Sequence, residues 1–201
     1  MPSPIAGKTY GTVSANRQKE MTGLAFVQGL VDGTLPLNMI AQTLGYDVIE
    51  AARGRVVVSV EPSSAHLNPY GTVHGGLAAT LLDSCMGLSV QSTLEKGFGQ
   101  TTVEFKISLI RPITPETGHI QAEGVVLNCG RRVGTAEGRL TDSKGRLLAH
   151  GTTTCLIFEM QQFQGECAPA SLSQPRGFFL PETGDVRGHA ADSTWRSEPD
   201  C

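Results

Sequence analysis

The sequence predicts an α+β domain in which an antiparallel sheet wraps one long buried helix. Three observations carry that expectation. Residues 75–94 form a run of glycine, alanine, leucine and methionine-rich sequence in which Asp83 is the only charged side chain between Gly76 and Leu94. Residues 101–110 alternate Thr102, Glu104, Lys106 and Ser108 with Val103, Phe105, Ile107 and Leu109, the period of two that marks a half-buried strand. Strand-like stretches follow at 118–127, 132–141 and 146–158. A helix apolar on all sides must be covered by other elements, and a sheet is what remains to cover it.

The other elements follow in order. Residues 15–32 bring Met21, Leu24, Ala25, Leu30 and Val31 near helical spacing and predict an amphipathic helix. Residues 37–44 predict a second, short helix stopped by Gly45. Residues 46–51 and 55–61 predict a hairpin around Arg53-Gly54, since VVVSV is strongly strand-forming. A loop spans 62–73, and Asp142-Ser-Lys-Gly145 is a turn between the last two strands. Two helices, two strands, a central helix and four strands make the arrangement of a hotdog fold with extra N-terminal helices. We divide the chain into an N-terminal helical extension (1–34), a hotdog domain (35–160) and a flexible or loosely docked tail (161–201) that mixes four prolines and four glycines without periodicity.

Charge and cysteine usage exclude several classes. The net charge of -3 resides in 161–201, where six acidic residues meet three arginines, so the body is neutral. It offers no basic face for nucleic acid or an anionic membrane. Five scattered cysteines without a CxxC pair, and an N-terminus lacking an apolar run, predict free thiols and a cytoplasmic setting. His66, His74, His119, His150 and His189 show no metal-ligand spacing, so neither metal nor cofactor is expected. No Walker or dinucleotide-binding glycine loop and no Gly-x-Ser-x-Gly elbow is present.

The chemistry concentrates in Asn68-Pro-Tyr-Gly-Thr-Val-His-Gly-Gly-Leu-Ala-Ala-Thr-Leu-Leu-Asp83. A carboxylate in mid-helix cannot be an N-cap, and burying it is costly unless it has partners or a task. Paired glycines at the helix start let a ligand approach backbone amides, which can hold the charge that develops on an attacked thioester carbonyl. Gly75 and Asp83 are eight residues apart, about 12 Å along a helix. One reacting carbon cannot sit within about 3 Å of both in the same copy. If both act on one substrate they come from different subunits.

The run Asn68-x5-His74-Gly75-Gly76-x6-Asp83 resembles the signature of the PaaI-type and 4-hydroxybenzoyl-CoA thioesterase-like hotdog proteins. The resemblance extends from about residue 35 to 158, through GRVVVSVEP and VEFKISLIRPITPETG. It implies hydrolysis of an acyl- or aryl-coenzyme A thioester by a homodimer or homotetramer with active sites at the subunit interface. The Gly75 amide would be the oxyanion donor, with Gly76 beside the substrate, and Asp83 the general base on water or the nucleophile. Asn68 and His74 would position thioester and water, and Thr102 falls where the family places a hydroxyl that assists the water. Arg111 and the pair Arg131 and Arg132 are candidates for the phosphates of coenzyme A. Each has an ordinary alternative: Asn68 an Asx-turn, His74 a backbone hydrogen bond, Thr102 plain sheet chemistry, the arginines solvated surface. Rival readings are a hydratase on acyl thioesters and a non-catalytic acyl-coenzyme A-binding or sensing protein of the same fold.

Overall fold

The structure, a computed structural model, describes residues 5–160; the tail expected over 161–201 lies outside the described residues. The helix expected over 15–32 is two helices, α1 (Ala15–Lys19) and α2 (Gly23–Asp32). The break has a local cause. Thr22 caps α2, its hydroxyl accepting from the Ala25 amide at 3.2 Å, and the Gly23 amide donates to the Leu94 carbonyl at 2.9 Å. A Cβ on Gly23 would lie 1.7 Å from the Gln91 carbonyl oxygen, so only glycine lets α2 start there. Helix α3 (Met39–Leu44) is capped by the Asn38 carboxamide, which accepts from the Ala41 amide, and ends at Gly45 with φ 70°. It begins later than expected because Leu37 is held extended against the N-terminal arm, its amide donating to the Thr9 carbonyl.

The long helix α4 runs Gly75–Gln91. Six strands, β1 (Asp47–Ala52), β2 (Arg55–Val60), β3 (Phe98–Leu109), β4 (Ile120–Cys129), β5 (Val133–Asp142) and β6 (Leu147–Glu159), form one antiparallel sheet in the order β1-β2-β4-β5-β6-β3. Strand β3, leaving α4, therefore crosses to the far edge beside β6, and β2 takes the place next to β4. Helix α4 rides on backbone rather than on side chains. Gly124 stands opposite Gly138, and Gly138 opposite Gly151, across β4, β5 and β6. A Cβ on Gly124 would meet the Cys85 carbonyl oxygen at 2.3 Å, and one on Gly138 the Met86 Cγ at 2.9 Å. Leu81, Leu82, Cys85 and Met86 are wholly buried on that contact.

The alternation expected along 101–110 is not continuous. Thr102 pairs with Cys155 but Glu104 pairs with Thr154, so Val103 is an extra residue, a β-bulge. Directly opposed residues share a face, and β6 buries Ala149, Gly151, Thr153, Cys155 and Ile157. Their partners, Leu109, Ile107, Phe105, Thr102 and Gln100, are thus the face of β3 turned toward α4. Thr102 shares its face with Phe105, Ile107 and Leu109, not with Glu104 and Lys106 as unbroken alternation would have it.

Candidate active site

The N-terminus of α4 is built by His74. Its Nδ1 accepts from the Gly76 amide at 2.8 Å, which fixes the neutral tautomer with the proton on Nε2. The His74 carbonyl accepts from the Leu77 amide at 3.0 Å. With those two amides satisfied, the Gly75 amide is the first-turn donor left without an acceptor among the described residues. Gly75 has to be glycine for packing as well, since a Cβ would lie 2.7 Å from Leu109 Cδ1.

A cleft of about 310 Å³ opens over this terminus, and Asn68, His74, Gly75, Leu109 and Arg111 line it. The Asn68 side chain is committed to its own loop. Its Oδ1 accepts from the Tyr70 amide at 2.9 Å and its Nδ2 donates to Thr72 Oγ1 at 2.8 Å, an Asx-turn that shapes the cleft wall. His66, buried beneath, pins the same loop: its Nδ1 accepts from the Ser63 amide and its Nε2 donates to the Leu44 carbonyl, each at 3.0 Å. The exposed Arg111 donates to the Leu147 carbonyl and keeps its remaining donors free for an anion at the cleft.

Asp83 lies outside the cleft, half-buried, on a partly open stripe of α4 that also carries Thr80, Ser84 and Leu88. Its Oδ1 accepts from Thr102 Oγ1 at 3.0 Å. Two residues along the same face of β3, Gln100 donates from Nε2 to the Gly87 carbonyl at 3.1 Å, while its Oε1 is buried without a partner. Asp83 and Gly87, one helical turn apart, thus oppose Thr102 and Gln100. Behind them the Cys155 thiol is 4.0 Å from Thr102 Oγ1, and burial pushes its pKa up. Cys85 is raised further by the same cause. Both stay protonated thiols at neutral pH.

The structure brings Asn68, His74, Gly75 and Arg111 together, with Gly76 beside them, and Asp83 together with Thr102. Arg131 and Arg132 lie elsewhere, in the turn between β4 and β5, where β5 starts at Val133 opposite Leu156. Arg111 follows the other end of β3, where Leu109 meets Ala149. Nine residues of strand, roughly 30 Å, separate the two within one copy. In the loop before α4, Tyr70 is 92 % exposed, whereas Met86 on α4 is fully buried under the sheet. Gln100 was not singled out from the sequence; its one signal is a polar residue two positions before Thr102. No helix among the described residues is long and apolar enough to cross a membrane.

Comparison with known proteins agrees with the fold. The model of the thioesterase superfamily matches residues 70–149. Human acyl-coenzyme A thioesterase 13 is 31 % identical over 109 residues, covering 53 % of this chain and 76 % of that protein. A variant of the phenylacetic acid degradation protein PaaI from Thermus thermophilus is 28 % identical with a TM-score of 0.53, over 59 % of this chain and 97 % of that one. A Streptococcus mutans protein solved with acetyl-CoA bound is 26 % identical with a TM-score of 0.52, over 58 % of this chain and 91 % of that one.

Proposed function

The chain belongs to the thioesterase superfamily, and from that premise we propose that it hydrolyses an acyl- or aryl-coenzyme A thioester to the free acid and coenzyme A. The observation that carries this reading is the pair of half-sites on one helix. An unpartnered Gly75 amide sits at the start of α4, beside Arg111, and a Thr102-held Asp83 carboxylate sits eight residues on. The thioester carbonyl takes its hydrogen bond from the Gly75 amide, at the positive end of α4. Asp83 removes a proton from water as the oxygen bonds to the carbonyl carbon. Collapse of the tetrahedral intermediate breaks the C–S bond, and the thiolate takes the proton back from the Asp83 carboxyl. Direct attack by Asp83, followed by hydrolysis of the anhydride, uses the same two groups.

The two half-sites are too far apart to serve one carbonyl in one copy, and the exposed edge of β3 supplies the means of joining two. That edge carries Val103 at 57 %, Phe105 at 40 % and Leu109 at 57 % exposure. Pairing two such edges across a two-fold axis would set the Leu109 end of one copy beside the Phe98 end of the other. Gly75 and Arg111 would then approach the partner's Asp83 cluster, and Arg131 and Arg132 would reach the same cleft from the other copy. A homodimer, or a homotetramer built from it, is thus part of the mechanism. The free thiols of Cys85, Cys129 and Cys155 support a reducing, cytoplasmic setting.

The test is thiol release from acetyl-, octanoyl-, palmitoyl- and benzoyl-coenzyme A by the wild type and Asp83→Asn. A loss of about a thousandfold or more in a variant that stays folded and oligomeric is the expected result. Equal rates, or no release from any thioester, would overturn the reading.

A further inference from the structure

The N-terminal extension encloses a second hollow, distinct from the cleft at Gly75. It has a volume of about 220 Å³ and is lined by Val13 from the arm, Phe26 from α2, Leu37, Tyr46, Val48 from β1 and Leu88 from α4. The lining is mostly apolar, and several of its polar groups are already occupied. The Tyr46 hydroxyl donates to Asn38 Oδ1 and accepts from Ser84 Oγ, both at 3.1 Å, and Gln18 Nε2 donates to the Val13 carbonyl at 2.6 Å. Such walls select an apolar occupant and give no grip to a charged or hydrogen-bonding one.

Its place along α4 matters as much as its chemistry. Ser84, the neighbour of Asp83, holds the Tyr46 wall, and Leu88 stands on the same open stripe as Asp83, five residues on. Five residues are about 7.5 Å of helix, so the mouth begins where a chain attached to a carbonyl at Asp83 would lead. The extension is anchored firmly enough to be a wall. Lys8 Nζ donates to the Leu30 and Val31 carbonyls, each at 2.7 Å, and pairs with Asp47 at 2.9 Å. Tyr10 bridges to Leu37.

We propose that this hollow is the receptor for the acyl tail, and that residues of the N-terminal extension set the length of chain the protein accepts. The proposal rests on the thioesterase reading. A cavity of about 150 Å³ holds a benzene ring, so 220 Å³ suits an unbranched tail of about eight carbons.

The experiment uses thioethers of coenzyme A with saturated tails of two to twelve carbons, which bind without being hydrolysed, and reads the dissociation constant of the full chain for each. Affinity should rise roughly three- to fourfold per methylene and level off near eight carbons. Val13→Trp, which fills the hollow from the arm, should flatten the ratio between the eight-carbon and two-carbon ligands to near unity. Phe26→Ala, which enlarges it from α2, should move the plateau outward by about two carbons; it also carries the test should Val13→Trp not fold. A rise with chain length that is the same in wild type and both variants would place the tail elsewhere, and no rise at all would mean the hollow is packing only. Because binding is read without turnover, either result stands apart from thiol release, whose absence would sink the hydrolytic reading.

Discussion

The two edges of the sheet are treated in opposite ways. Strand β1 is six residues long and bulged between Val48 and Glu50. It is ringed by charge, with Lys8 paired to Asp47 and Arg55 bridging Glu50 and Glu123. Strand β3 is twelve residues long and leaves Val103, Phe105 and Leu109 half-exposed, with Ile110 just beyond at 44 %. Both edges carry a bulge, but short, charged edges resist pairing with another strand, whereas long apolar ones invite it. The difference teaches where this chain ends its own fold and where its proposed function requires a second copy. In the proposed dimer, burying β3 would bring the two halves of the chemistry within reach of each other.

Breaking the apolar edge should have the largest effect. Phe105→Lys is expected to convert the proposed oligomer to a folded single chain by light scattering and to lower thiol release by about a hundredfold or more. Glu50→Lys on the opposite edge should leave the assembly intact. An oligomer that survives Phe105→Lys would move the interface away from β3. Next comes Thr102, on the same face of that strand. Thr102→Val removes the hydroxyl held to the Asp83 carboxylate, and turnover should fall about ten- to a hundredfold with the oligomer unchanged. Thr102→Ser should recover most of it, and a Ser variant as slow as the Val variant would mean that the methyl, not the hydroxyl, matters.

Effects at the protected edge should fall on stability instead. Lys8, whose side chain is 9 % exposed, ties the arm to both α2 and β1. Lys8→Ala should cost about 2 kcal/mol in a denaturant titration without altering assembly. The smallest effect belongs to the β5–β6 turn. Burial works to raise the Asp142 pKa, but the Arg146 amide, the Arg146 guanidinium and the Lys144 amide outweigh it and hold the carboxyl below its ordinary value. A lowered folded-state pKa stabilises above the unfolded value, and that contribution is lost as pH falls through the folded one. Unfolding midpoints should therefore decline in acid less steeply in Asp142→Asn than in the wild type. Identical profiles would contradict this.

Local pattern made much of the fold legible. The all-round apolar run of α4 and the period-two stretches of β3 to β6 are properties of a few consecutive residues, and each fell within a few residues of its expected span. Strand order was not legible, because β3 pairs with β6 across nearly 50 residues and nothing in either stretch names its partner. The break at Thr22 and Gly23 was hidden for a similar reason: its cause is a carbonyl of α4, far along the chain. Within the site, Asp83 stood out as a lone charge in an apolar helix, and Gly75 as half of a glycine pair. Thr102 was reached through family resemblance, whereas simple alternation would have set it beside Glu104. Gln100 had no local signal, since its meaning comes from lying under Gly87.

The bulge at Val103 is what lets Thr102 and Phe105, three positions apart, look the same way. An exposed residue that pairs with nothing on β6 tolerates replacement by many side chains. Its removal would leave Thr102, opposite Cys155, and Glu104, opposite Thr154, as direct neighbours in plain alternation, so Gln100 and Thr102 would still face α4. The sheet could re-form its ladder with the carboxylate keeping its hydroxyl, and what would be lost is the local bend of the edge strand. Among descendants of this sequence, loss of position 103 should therefore straighten the β3 edge while leaving the inner face of the strand in register.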